Sequence, residues 1–401
     1  MNYAIILNSN KETKWNLEIP VCAYPLLKKP IIEYMIDALE KSNIKKISYM
    51  MQDGKHLIQD ILKNRVEYMI EDEYFQEDGH TIILLDHLLL LDEEIISMLI
   101  NKHQQNKNDC TILSKNHIQV LCLKNVILYD ILQENNHLKN ESDLTNLIEL
   151  VSEKYKVEHG ILEDSYKLTE ITDLYTLSCV EEELRKDIQK KHMQNGVCIM
   201  NPNSTTISFD TSIESGTIIY PGCNIFGKTS IGHNCIVGPN TELNDAILED
   251  DTKCIHSMVS DSKICKGATV GPFTQLRMHS VVGENNRVGN FVEMKNSTLG
   301  KNTNVAHLTY IGDTTCGDHV NWGCGTVTVN YDGKNKFKTT IGNDVFIGCN
   351  TNLIAPINIA SNSFIAAGST ITEDLAEGDF AIARNKQVVK HNRAQNYGFK
   401  K

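Results

Sequence analysis

The stretch from Ile341 to Ile371 reads IGNDVFIGCNTNLIAPINIASNSFIAAGSTI, and every sixth residue in it is Ile or Leu. If about a third of positions were suitably apolar, six hits in succession would arise by chance roughly once in 700 frames. A period of six is neither the 3.6 residues of a helix nor the two residues of an ordinary strand. It is the hexapeptide repeat of a parallel β-helix, in which one aliphatic side chain per hexad points inward and stacks on its counterpart one coil away.

The same period continues upstream of this stretch in three further trains. They are Ile207, Ile213, Ile219, Ile225, Ile231, Val237 and Leu243; Ile264, Val270, Leu276, Val282, Val288 and Met294; and, after a slip of one residue, Leu299, Val305 and Ile311. Gly often follows the aliphatic residue, because it tolerates the backbone angles that a corner needs. Three hexads per coil predict a triangular prism. The alternative, a β-sandwich with regular turns, requires alternation within longer strands.

The amino-terminal half shows a different pattern. Residues Tyr3–Leu7 and Ile47–Met51 are typical of buried strands, and a helical pattern lies between them from Ile31 to Leu39. A further strand, Thr81–Leu91, and a helix, Glu93–Gln105, continue the alternation. This order predicts an α/β domain with a parallel sheet. The expected organisation is an α/β domain at 1–172, a linker helix at 173–195, a β-helix domain at 196–383 and a basic tail at 384–401.

Composition limits the partners of the protein. The chain has 401 residues and a formal net charge of −12, which argues against sequence-independent nucleic-acid binding. The amino terminus lacks the charged start and long apolar core of a signal peptide, and the most apolar stretch is too short to span a bilayer. Twelve cysteines without a Cys-x-x-Cys pair are best interpreted as small buried residues in a reducing compartment. We therefore expect a cytoplasmic protein with no membrane or nucleic-acid partner.

Four strings within residues 195–385 carry a family resemblance. Val270–Arg277 reads VGPFTQLR, Val288–Gly300 reads VGNFVEMKNSTLG, His307–Asp313 reads HLTYIGD and Asn330–Lys338 reads NYDGKNKFK. In this order they resemble the acetyltransferase half of the bacterial bifunctional enzymes that make UDP-N-acetylglucosamine. The resemblance implies a left-handed hexapeptide-repeat β-helix that acetylates glucosamine-1-phosphate from acetyl-CoA. It also implies an amino-terminal domain of nucleotidyltransferase-like, Rossmann-like α/β fold.

The chemistry of acetyl transfer explains three of these residues. The acceptor amine must be neutral to attack, and a histidine that titrates near physiological pH is suited to take its proton. By the resemblance, His307 is this general base; a lone histidine in a repeat protein is otherwise a surface or corner residue. A sugar phosphate needs converging cations, and Arg277 and Lys295 match the family's phosphate-binding pair. They lie three hexads apart in the sequence, so with three hexads per coil they would occupy the same corner of adjacent coils.

The resemblance assigns further binding positions in this half. It implies sugar-binding roles for Tyr310, Asn321 and Lys336, and acetyl-CoA contacts at Cys324, Asn330, Tyr331, Cys349, Ala367 and Arg384. The family commonly has Ala and Ser where this chain has Cys324 and Cys349, and a thiol is a weaker hydrogen-bond donor than a hydroxyl. A covalent acetyl-cysteine intermediate at Cys349 is an alternative, although nothing in the sequence places a base beside it. No metal ligand is expected here.

The amino-terminal resemblance is positional, but the catalytic residue types differ. Glycines in the family's phosphate-binding loop let backbone amides approach the triphosphate, and Asn10 and Glu12 replace them here. The family's arginine is Lys14, and a following lysine is Val21. The strand that normally ends in a magnesium-binding Gly-Asp reads Leu-Asp-His-Leu around Asp86. We therefore expect uridyltransferase activity to be lost, with magnesium required only if that activity remains.

The expected function is that of a glucosamine-1-phosphate N-acetyltransferase, which supplies N-acetylglucosamine-1-phosphate for UDP-N-acetylglucosamine and peptidoglycan synthesis. Two alternatives remain: an enzyme active in both halves, and a non-catalytic β-helix kept as a scaffold or regulatory subunit. The polar loop Asn330–Lys338 and the basic tail from Arg384 have to reach substrate from outside the prism, so we expect a homotrimer with composite sites. The tail could instead be a solvated, disordered terminus, and a separate uridyltransferase could be a partner.

Overall fold

The computed structural model of the chain describes residues 2–8, 19–44, 46–50, 56–68, 78–91, 93–115, 118–134, 138–161 and 166–394. The chain divides into two compact units, Met1–Arg185 and Lys186–Lys401. Among the residues so described, no helix is both long and apolar enough to cross a membrane.

The amino-terminal unit is an α/β domain. Its strands are β1 (Asn2–Leu7), β2 (Pro25–Leu26), β3 (Lys29–Pro30), β4 (Lys46–Met50), β5 (His80–Leu85), β6 (Leu88–Leu90), β7 (Cys110–Lys115), β8 (Ile118–Lys124), β9 (Val157–Ile161) and β10 (Leu168–Glu170). Its helices are α1 (Ile31–Lys41), α2 (His56–Leu62), α3 (Glu94–Gln105), α4 (Asn125–Glu134), α5 (Glu141–Lys154) and α6 (Leu174–Gln194), the last of which continues into the second unit.

A six-stranded sheet in the order β4-β1-β5-β8-β7-β9 forms the centre of this unit. Strand β1 pairs in parallel with β4 and β5, but β8 runs antiparallel to both β5 and β7. The sheet is therefore mixed and not parallel as expected, because the two residues between β7 and β8 are too few for a parallel crossover. The expected strand Thr81–Leu91 is two strands, since the polar residues Asp86 and His87 form a turn between β5 and β6.

Helix α1 illustrates how this unit packs. Its residues Ile32, Met35, Ile36 and Leu39 recur at the spacing of one helix face, and all four are buried. Burying a side chain of this size stabilises the fold by about 1.5–3 kcal/mol. The apolar face of the helix therefore fixes it against the core of the α/β domain.

The carboxy-terminal unit is a left-handed parallel β-helix. One face of the prism is a nine-stranded sheet of β13 (Ser212–Ile213), β16 (Ser230–Ile231), β19 (Ile247–Leu248), β22 (Lys263–Ile264), β25 (Val281–Val282), β27 (Thr298–Leu299), β29 (Thr314–Cys316), β32 (Thr339–Ile341) and β35 (Ile357–Ile359). The other two faces form one 19-stranded sheet of β11 (Cys198–Ile199), β12 (Thr206–Ile207), β14 (Ile218–Ile219), β15 (Asn224–Phe226), β17 (Ile236–Val237), β18 (Glu242–Asn244), β20 (Lys253–Cys254), β21 (Met258–Ser260), β23 (Thr269–Val270), β24 (Gln275–Arg277), β26 (Arg287–Lys295), β28 (Asn304–Gly312), β30 (Asn321–Trp322), β31 (Val327–Val329), β33 (Phe346–Ile347), β34 (Asn352–Ile354), β36 (Phe364–Ile365), β37 (Thr370–Ile371) and β38 (Phe380–Ala381). These two faces are continuous because β26 and β28, of nine residues each, run through the corner between them.

Inward residues of the β-helix stack in register. Ile213 pairs with Ile231, Ile231 with Leu248 and Leu248 with Ile264. The first of these coils has three full hexads, the second is one residue shorter and the third is two residues shorter. The shorter coils break the period of six, which is why the sequence trains stop at Leu243 and resume at Ile264. The structure fills this gap with the buried residues Leu248, Cys254 and Val259.

Two further irregularities shape the later coils. Cys316 and Trp322 occupy inward positions where the repeat predicts an aliphatic residue, and both are buried. Cys316 pairs with Ile341, a step that is seven residues longer than three hexads and contains the loop Asn330–Lys338. Because the coils on both sides stay in register, this loop leaves the prism and returns without disturbing the core.

Candidate active site

Two cations end neighbouring strands of the β-helix. Arg277 is the last residue of β24 and Lys295 is the last residue of β26, and the two are register partners. They therefore occupy the same corner of adjacent coils, as their spacing of three hexads predicts. Each follows a buried residue, Leu276 or Met294, which anchors the strand that carries the cation.

A third cation comes from the loop after β31. Contact with Lys295 lowers the pKa of Lys336, and the charge of Arg277 adds to this effect. The amine of Lys336, once it gives up its proton, accepts a hydrogen bond from Lys295, and this contact together with Asp313 raises the pKa of Lys295. Such mutual effects arise between groups that lie close together. Arg277, Lys295 and Lys336 therefore converge on one place, an arrangement that suits a phosphate group.

Two carboxylates hold these cations in position. Glu293 Oε1 accepts hydrogen bonds from Nη2 and Nε of Arg277 at 2.5 and 3.1 Å. Asp313 Oδ2 lies 3.2 Å from Lys295 Nζ, and Asn296 Nδ2 donates to Asp313 Oδ1 at 2.7 Å. Burial alone would raise the pKa of Asp313, but the hydrogen bonds that it accepts, that of Asn296 foremost, lower it. Three cations against two carboxylates leave a positive potential that favours an anionic ligand.

Gly312, the register partner of Lys295, leaves room for two more side chains. A Cβ atom at Gly312 would lie 2.5 Å from Tyr310 Oη and 2.7 Å from Asn330 Nδ2, so any other residue type would displace these two side chains. Asn330 Nδ2 also donates to Asp313 Oδ2 at 2.5 Å. Tyr310 and Asn330 therefore lie beside the cations. We refer to this group as the cation cluster: Arg277, Glu293, Lys295, Tyr310, Asp313, Asn330 and Lys336.

His307 lies on β28 opposite Asn290 on β26. Its Nδ1 is 2.7 Å from Asn290 Oδ1. An amide oxygen only accepts hydrogen bonds, so this contact selects the tautomer with the proton on Nδ1. The exposed imidazole then offers the lone pair of Nε2 to solvent or substrate, which is the form that a general base requires.

The register places His307 on the same edge of the prism as three of the predicted acetyl-CoA positions. Before and after the corner, residues of β28 pair with residues that are one fewer than three hexads further along the chain. The same distance separates His307 from Cys324, so these two residues lie at the same place on neighbouring coils. The next step, which contains the loop, aligns Cys324 with Cys349, and a step of three hexads then aligns Cys349 with Ala367. The amide of Asn350 donates to the carbonyl of Cys324 at 2.7 Å along this edge. We refer to His307, Cys324, Cys349 and Ala367 as the edge column, with coils about 4.8 Å apart.

Arg384 extends the edge column. Its Nη1 donates to the carbonyl of Ala367 at 2.7 Å within the same chain. Two glycines keep the coils close along this edge, since a Cβ at Gly323 would lie 2.4 Å from Cys349 N and one at Gly348 would lie 2.3 Å from Ala367 N. The edge thus presents backbone groups and short side chains, a surface along which an extended ligand could lie.

The two remaining predicted residues lie outside the cation cluster and the edge column. Asn321 is exposed on β30 and pairs with Asn304 and Phe346, so it belongs to the face that leads into the edge. Tyr331 is 56% exposed, and its hydroxyl donates to the carbonyl of Gly333 at 2.7 Å. Residue 331 nevertheless forms a backbone bridge with Lys336. The loop therefore holds Tyr331 next to a member of the cation cluster.

Sequence reasoning missed the partners of the predicted residues. Asn290 holds His307, Glu293 holds Arg277, and Asp313 joins the cations to the loop. One signal was available, because Asn290 precedes His307 by one coil of this β-helix. Carboxylates and amides are otherwise common at polar corners, so residue type alone does not single them out.

The amino-terminal unit places Asp86 at the carboxyl end of β5, beside the end of β1. Asp86 Oδ2 accepts hydrogen bonds from Tyr49 Oη at 2.8 Å and Asn8 Nδ2 at 3.0 Å, and all three residues are buried. Burial, and then the charge of Asp86, raise the pKa of Tyr49, so the phenol keeps its proton and donates it. Val21 is buried in a 3-10 turn at Val21–Ala23. Asn10, Glu12 and Lys14 lie outside the described residues.

Comparison with known proteins adds relatives over the whole chain. Residues 338–373 match the family of bacterial transferase hexapeptides (six repeats). The chain is similar to bifunctional protein GlmU of Acholeplasma laidlawii, at 38% identity over 444 residues that cover 98% of this chain and 96% of the relative. Proteins of the same name from Exiguobacterium sp. and Clostridium novyi are each 35% identical, covering 97% and 96% of this chain and 98% and 96% of the relatives. This chain has 401 residues, so at least 43 of the 444 positions in the first alignment have no residue of this chain.

Proposed function

The chain belongs to the family of proteins named bifunctional protein GlmU, and we propose that its carboxy-terminal unit transfers the acetyl group of acetyl-CoA to the amine of glucosamine-1-phosphate. The observation that carries this proposal is the pair of strands β26 and β28. Each strand links the edge of the prism to the cation cluster, since β28 carries His307 and Tyr310 while β26 carries Asn290 and Lys295. A base and a phosphate-binding group on one strand pair suit a phosphorylated amino sugar as the acceptor.

The cation cluster is the proposed phosphate site. Arg277 can present two N–H groups to one phosphate, a geometry that lysine does not offer. Lys295 and Lys336 add positive charge on either side, and the side chains of Tyr310 and Asn330 can hydrogen-bond the sugar. Asn321 is the proposed contact from the neighbouring face. Glucosamine, which lacks the phosphate, should therefore bind far more weakly than glucosamine-1-phosphate.

His307 is the proposed general base. Its Nε2 takes a proton from the amine of the sugar as the nitrogen lone pair attacks the thioester carbonyl of acetyl-CoA. The tetrahedral intermediate then collapses, the carbon–sulfur bond breaks, and the CoA thiolate takes the proton held by His307 and leaves as the thiol. The products are N-acetylglucosamine-1-phosphate and CoA. Asn290 keeps the proton of the resting imidazole on Nδ1, so that Nε2 is free at the start of each turnover.

The edge column is the proposed acetyl-CoA site. An extended pantetheine arm can run along Cys324, Cys349 and Ala367, where glycines keep side chains away from the backbone. Arg384 at the end of the column is suited to an anionic group of the cofactor. With an anionic group of acetyl-CoA at Arg384, the thioester at the other end of the cofactor would lie near His307, the first residue of the edge column. Asn330 and Tyr331 are the proposed contacts near the reacting centre.

We also propose that the amino-terminal unit no longer transfers uridylyl groups. Asp86, the acidic residue at the end of β5, is already engaged by Tyr49 and Asn8, and the buried Val21 replaces a lysine of the resembling family. On this proposal magnesium has no part in the acetyl transfer, and a separate uridyltransferase would use the product to make UDP-N-acetylglucosamine for peptidoglycan.

An enzyme active in both halves is the second candidate. The relatives that carry the name bifunctional match this chain over 96% or more of both lengths, which favours it. Incubation with UTP, magnesium and N-acetylglucosamine-1-phosphate, followed by pyrophosphate detection, separates the two candidates. Turnover in this assay, abolished by a chelator, would establish the bifunctional enzyme. Pyrophosphate release no greater than that of a heat-denatured sample would establish that uridyltransferase activity is lost.

A homotrimer is the proposed assembly. Lys336 and Arg384 have contacts within their own chain, and we propose that they also complete composite sites with a neighbouring prism. One edge of the β-helix exposes an apolar ridge of Phe273, Phe291 and Leu308, at 57%, 57% and 59% exposure. The rings of Phe273 and Phe291 stack at 5.6 Å. Burial of this ridge between copies would place a second prism beside His307, and light scattering should give three times the 45.2 kDa chain mass.

A further inference from the structure

A group of potential metal ligands lies in the amino-terminal unit, outside every site described above. His80, His103 and Cys122 each offer one ligand atom, and these three atoms lie within 4.8 Å of one another. They come from three separate elements, β5, α3 and β8. His103 Nε2 and His80 Nδ1 are 3.0 Å apart. The acetyl-transfer proposal uses none of these residues, so a function of this group is independent of it.

The sheet register explains how these residues meet. Cys122 on β8 is the partner of Ile82 on β5, and His80 lies two residues before Ile82. Side chains two residues apart on a strand share a face, so His80 and Cys122 point to the same side of the sheet. Thr111 on β7 also pairs with Cys122 and shares this face. Helix α3 brings His103 onto it, where the imidazole contacts Thr111.

Contact with Thr111 fixes the orientation of the His103 ring. Its Nδ1 lies 3.0 Å from Thr111 Oγ1, and Asn108 Nδ2 donates to the same hydroxyl oxygen at 3.0 Å. With Nδ1 held in this way, Nε2 faces His80 and Cys122. A hydrogen bond from the second ring nitrogen to a fixed partner is the usual support of a metal-binding histidine. The arrangement therefore resembles a ligand set with its outer support already in place.

Burial and charge suit zinc in particular. His103 and Cys122 are buried, whereas His80 is half-buried and gives access from solvent. The nearby cation Lys124 forms an ion pair with Asp109 at 2.7 Å, which reduces its repulsion of a bound ion. Neutral imidazole and thiolate are ligands that zinc prefers.

We propose that His80, His103 and Cys122 bind one Zn²⁺ ion, with a water molecule from the side of His80 as the fourth ligand. Zn–N bonds of about 2.0 Å and a Zn–S bond of about 2.3 Å place the ligand atoms roughly 3.3–3.6 Å apart in a tetrahedron. The separations in the structure require only small side-chain movements to reach this. Binding releases the thiol proton of Cys122 to solvent and ties α3 to the central sheet.

Cobalt titration of the full-length protein, freed of metal by a chelator, tests this proposal. We expect one equivalent of Co²⁺ to give thiolate-to-cobalt absorption in the near ultraviolet, and Zn²⁺ to displace it. Cys122→Ser should lose the band, and His103→Gln and His80→Gln should weaken Co²⁺ binding by about tenfold or more. Cys110→Ser is the matched control, because it removes another buried thiol one strand away and should leave the band unchanged.

Thermal unfolding provides a second readout that does not depend on cobalt. Zinc should raise the Tm of the wild-type protein and of Cys110→Ser, and should raise the Tm of His80→Gln by clearly less at the same zinc concentration. His80 is the least buried of the three, so this variant is the one best able to fold. The proposal is overturned if the wild-type protein gives no band at stoichiometric cobalt, or if the band persists in a folded Cys122→Ser protein, which would assign it to exposed thiols such as Cys349.

Discussion

Asn290 and His307 are register partners on neighbouring coils, and their side chains meet at 2.7 Å between Oδ1 and Nδ1. The contact ties the proposed base to the strand that ends in Lys295. It also fixes which ring nitrogen is free. The geometry of one amide thus connects the phosphate-binding end of the site with the proton-transfer end.

Replacing Asn290 tests this connection. Asn290→Ala removes the acceptor that selects the tautomer, and we expect kcat to fall by about tenfold, less than the 10²–10⁴ expected for the base itself. The KM for acetyl-CoA should stay unchanged. Asn290→Asp keeps an acceptor and adds a negative charge that stabilises the imidazolium, so the acid limb of the kcat profile should move to higher pH. A kcat of Asn290→Ala within twofold of wild type would show that the contact does not position the base.

The loop lysines provide a matched pair for the phosphate site. Lys336→Ala removes a cation that lies beside Lys295, and we expect the KM for glucosamine-1-phosphate to rise by about tenfold, in line with the loss of one charge-assisted hydrogen bond. Lys334→Ala removes an exposed cation of the same loop and should change this KM by less than twofold. Steady-state kinetics at saturating acetyl-CoA measures both. Equal effects of the two variants would assign the role to the general charge of the loop.

The lowered pKa of Lys336 predicts an alkaline limb in sugar binding. As pH rises through this pKa, Lys336 loses its proton before an ordinary lysine would, and one attraction to the phosphate dianion is lost. We expect kcat/KM for glucosamine-1-phosphate to fall on the alkaline side at a pH below that of an unperturbed lysine. Lys336→Arg keeps its charge and should move this limb to higher pH. A profile that is the same in wild type and Lys336→Arg would contradict the prediction.

Replacing Cys349 distinguishes direct acetyl transfer from transfer through an acetyl-cysteine. If the edge column only binds acetyl-CoA, Cys349→Ser replaces a weak donor with a stronger one, and the KM for acetyl-CoA should stay equal or fall a few-fold. If an acetyl-cysteine forms at this position, the same variant should lose most of its kcat. Mass spectrometry of the wild-type protein with acetyl-CoA alone gives the complementary result. We expect no acetyl adduct on Cys349.

The sequence predicted the β-helix because its signal is repeated many times. Arg277 and Lys295 could be paired from their spacing, since their coil has the regular length of three hexads. The alignment of His307 with Cys324 and Cys349 could not be predicted in this way, because it depends on one shortened coil and on one coil that contains an inserted loop. A hexad count carries no information about where a coil is shortened or where a loop is inserted.

Contacts between polar side chains also could not be predicted from the sequence pattern. Asp86 is the clearest case, because it lies near the strand end where the resembling family binds magnesium, and in the structure Tyr49 and Asn8 donate to it. Tyr49 comes from β4 and Asn8 follows β1, so the three residues meet only through the sheet order. The cluster of His80, His103 and Cys122 arises from the same cause. Helix α3 and two strands bring these residues together without any spacing motif.

The most direct test of the central claim is the release of CoA thiol from acetyl-CoA by the wild-type protein and by His307→Ala, with saturating glucosamine-1-phosphate. We predict steady turnover by the wild-type protein, none with N-acetylglucosamine-1-phosphate in place of the amino sugar, and a kcat for His307→Ala lower by roughly 10² or more. The exposed side chain of His307 can be removed without disturbing the core. Absence of thiol release by the wild-type protein, or a kcat for His307→Ala within a few-fold of wild type, would contradict the proposed acetyltransferase site.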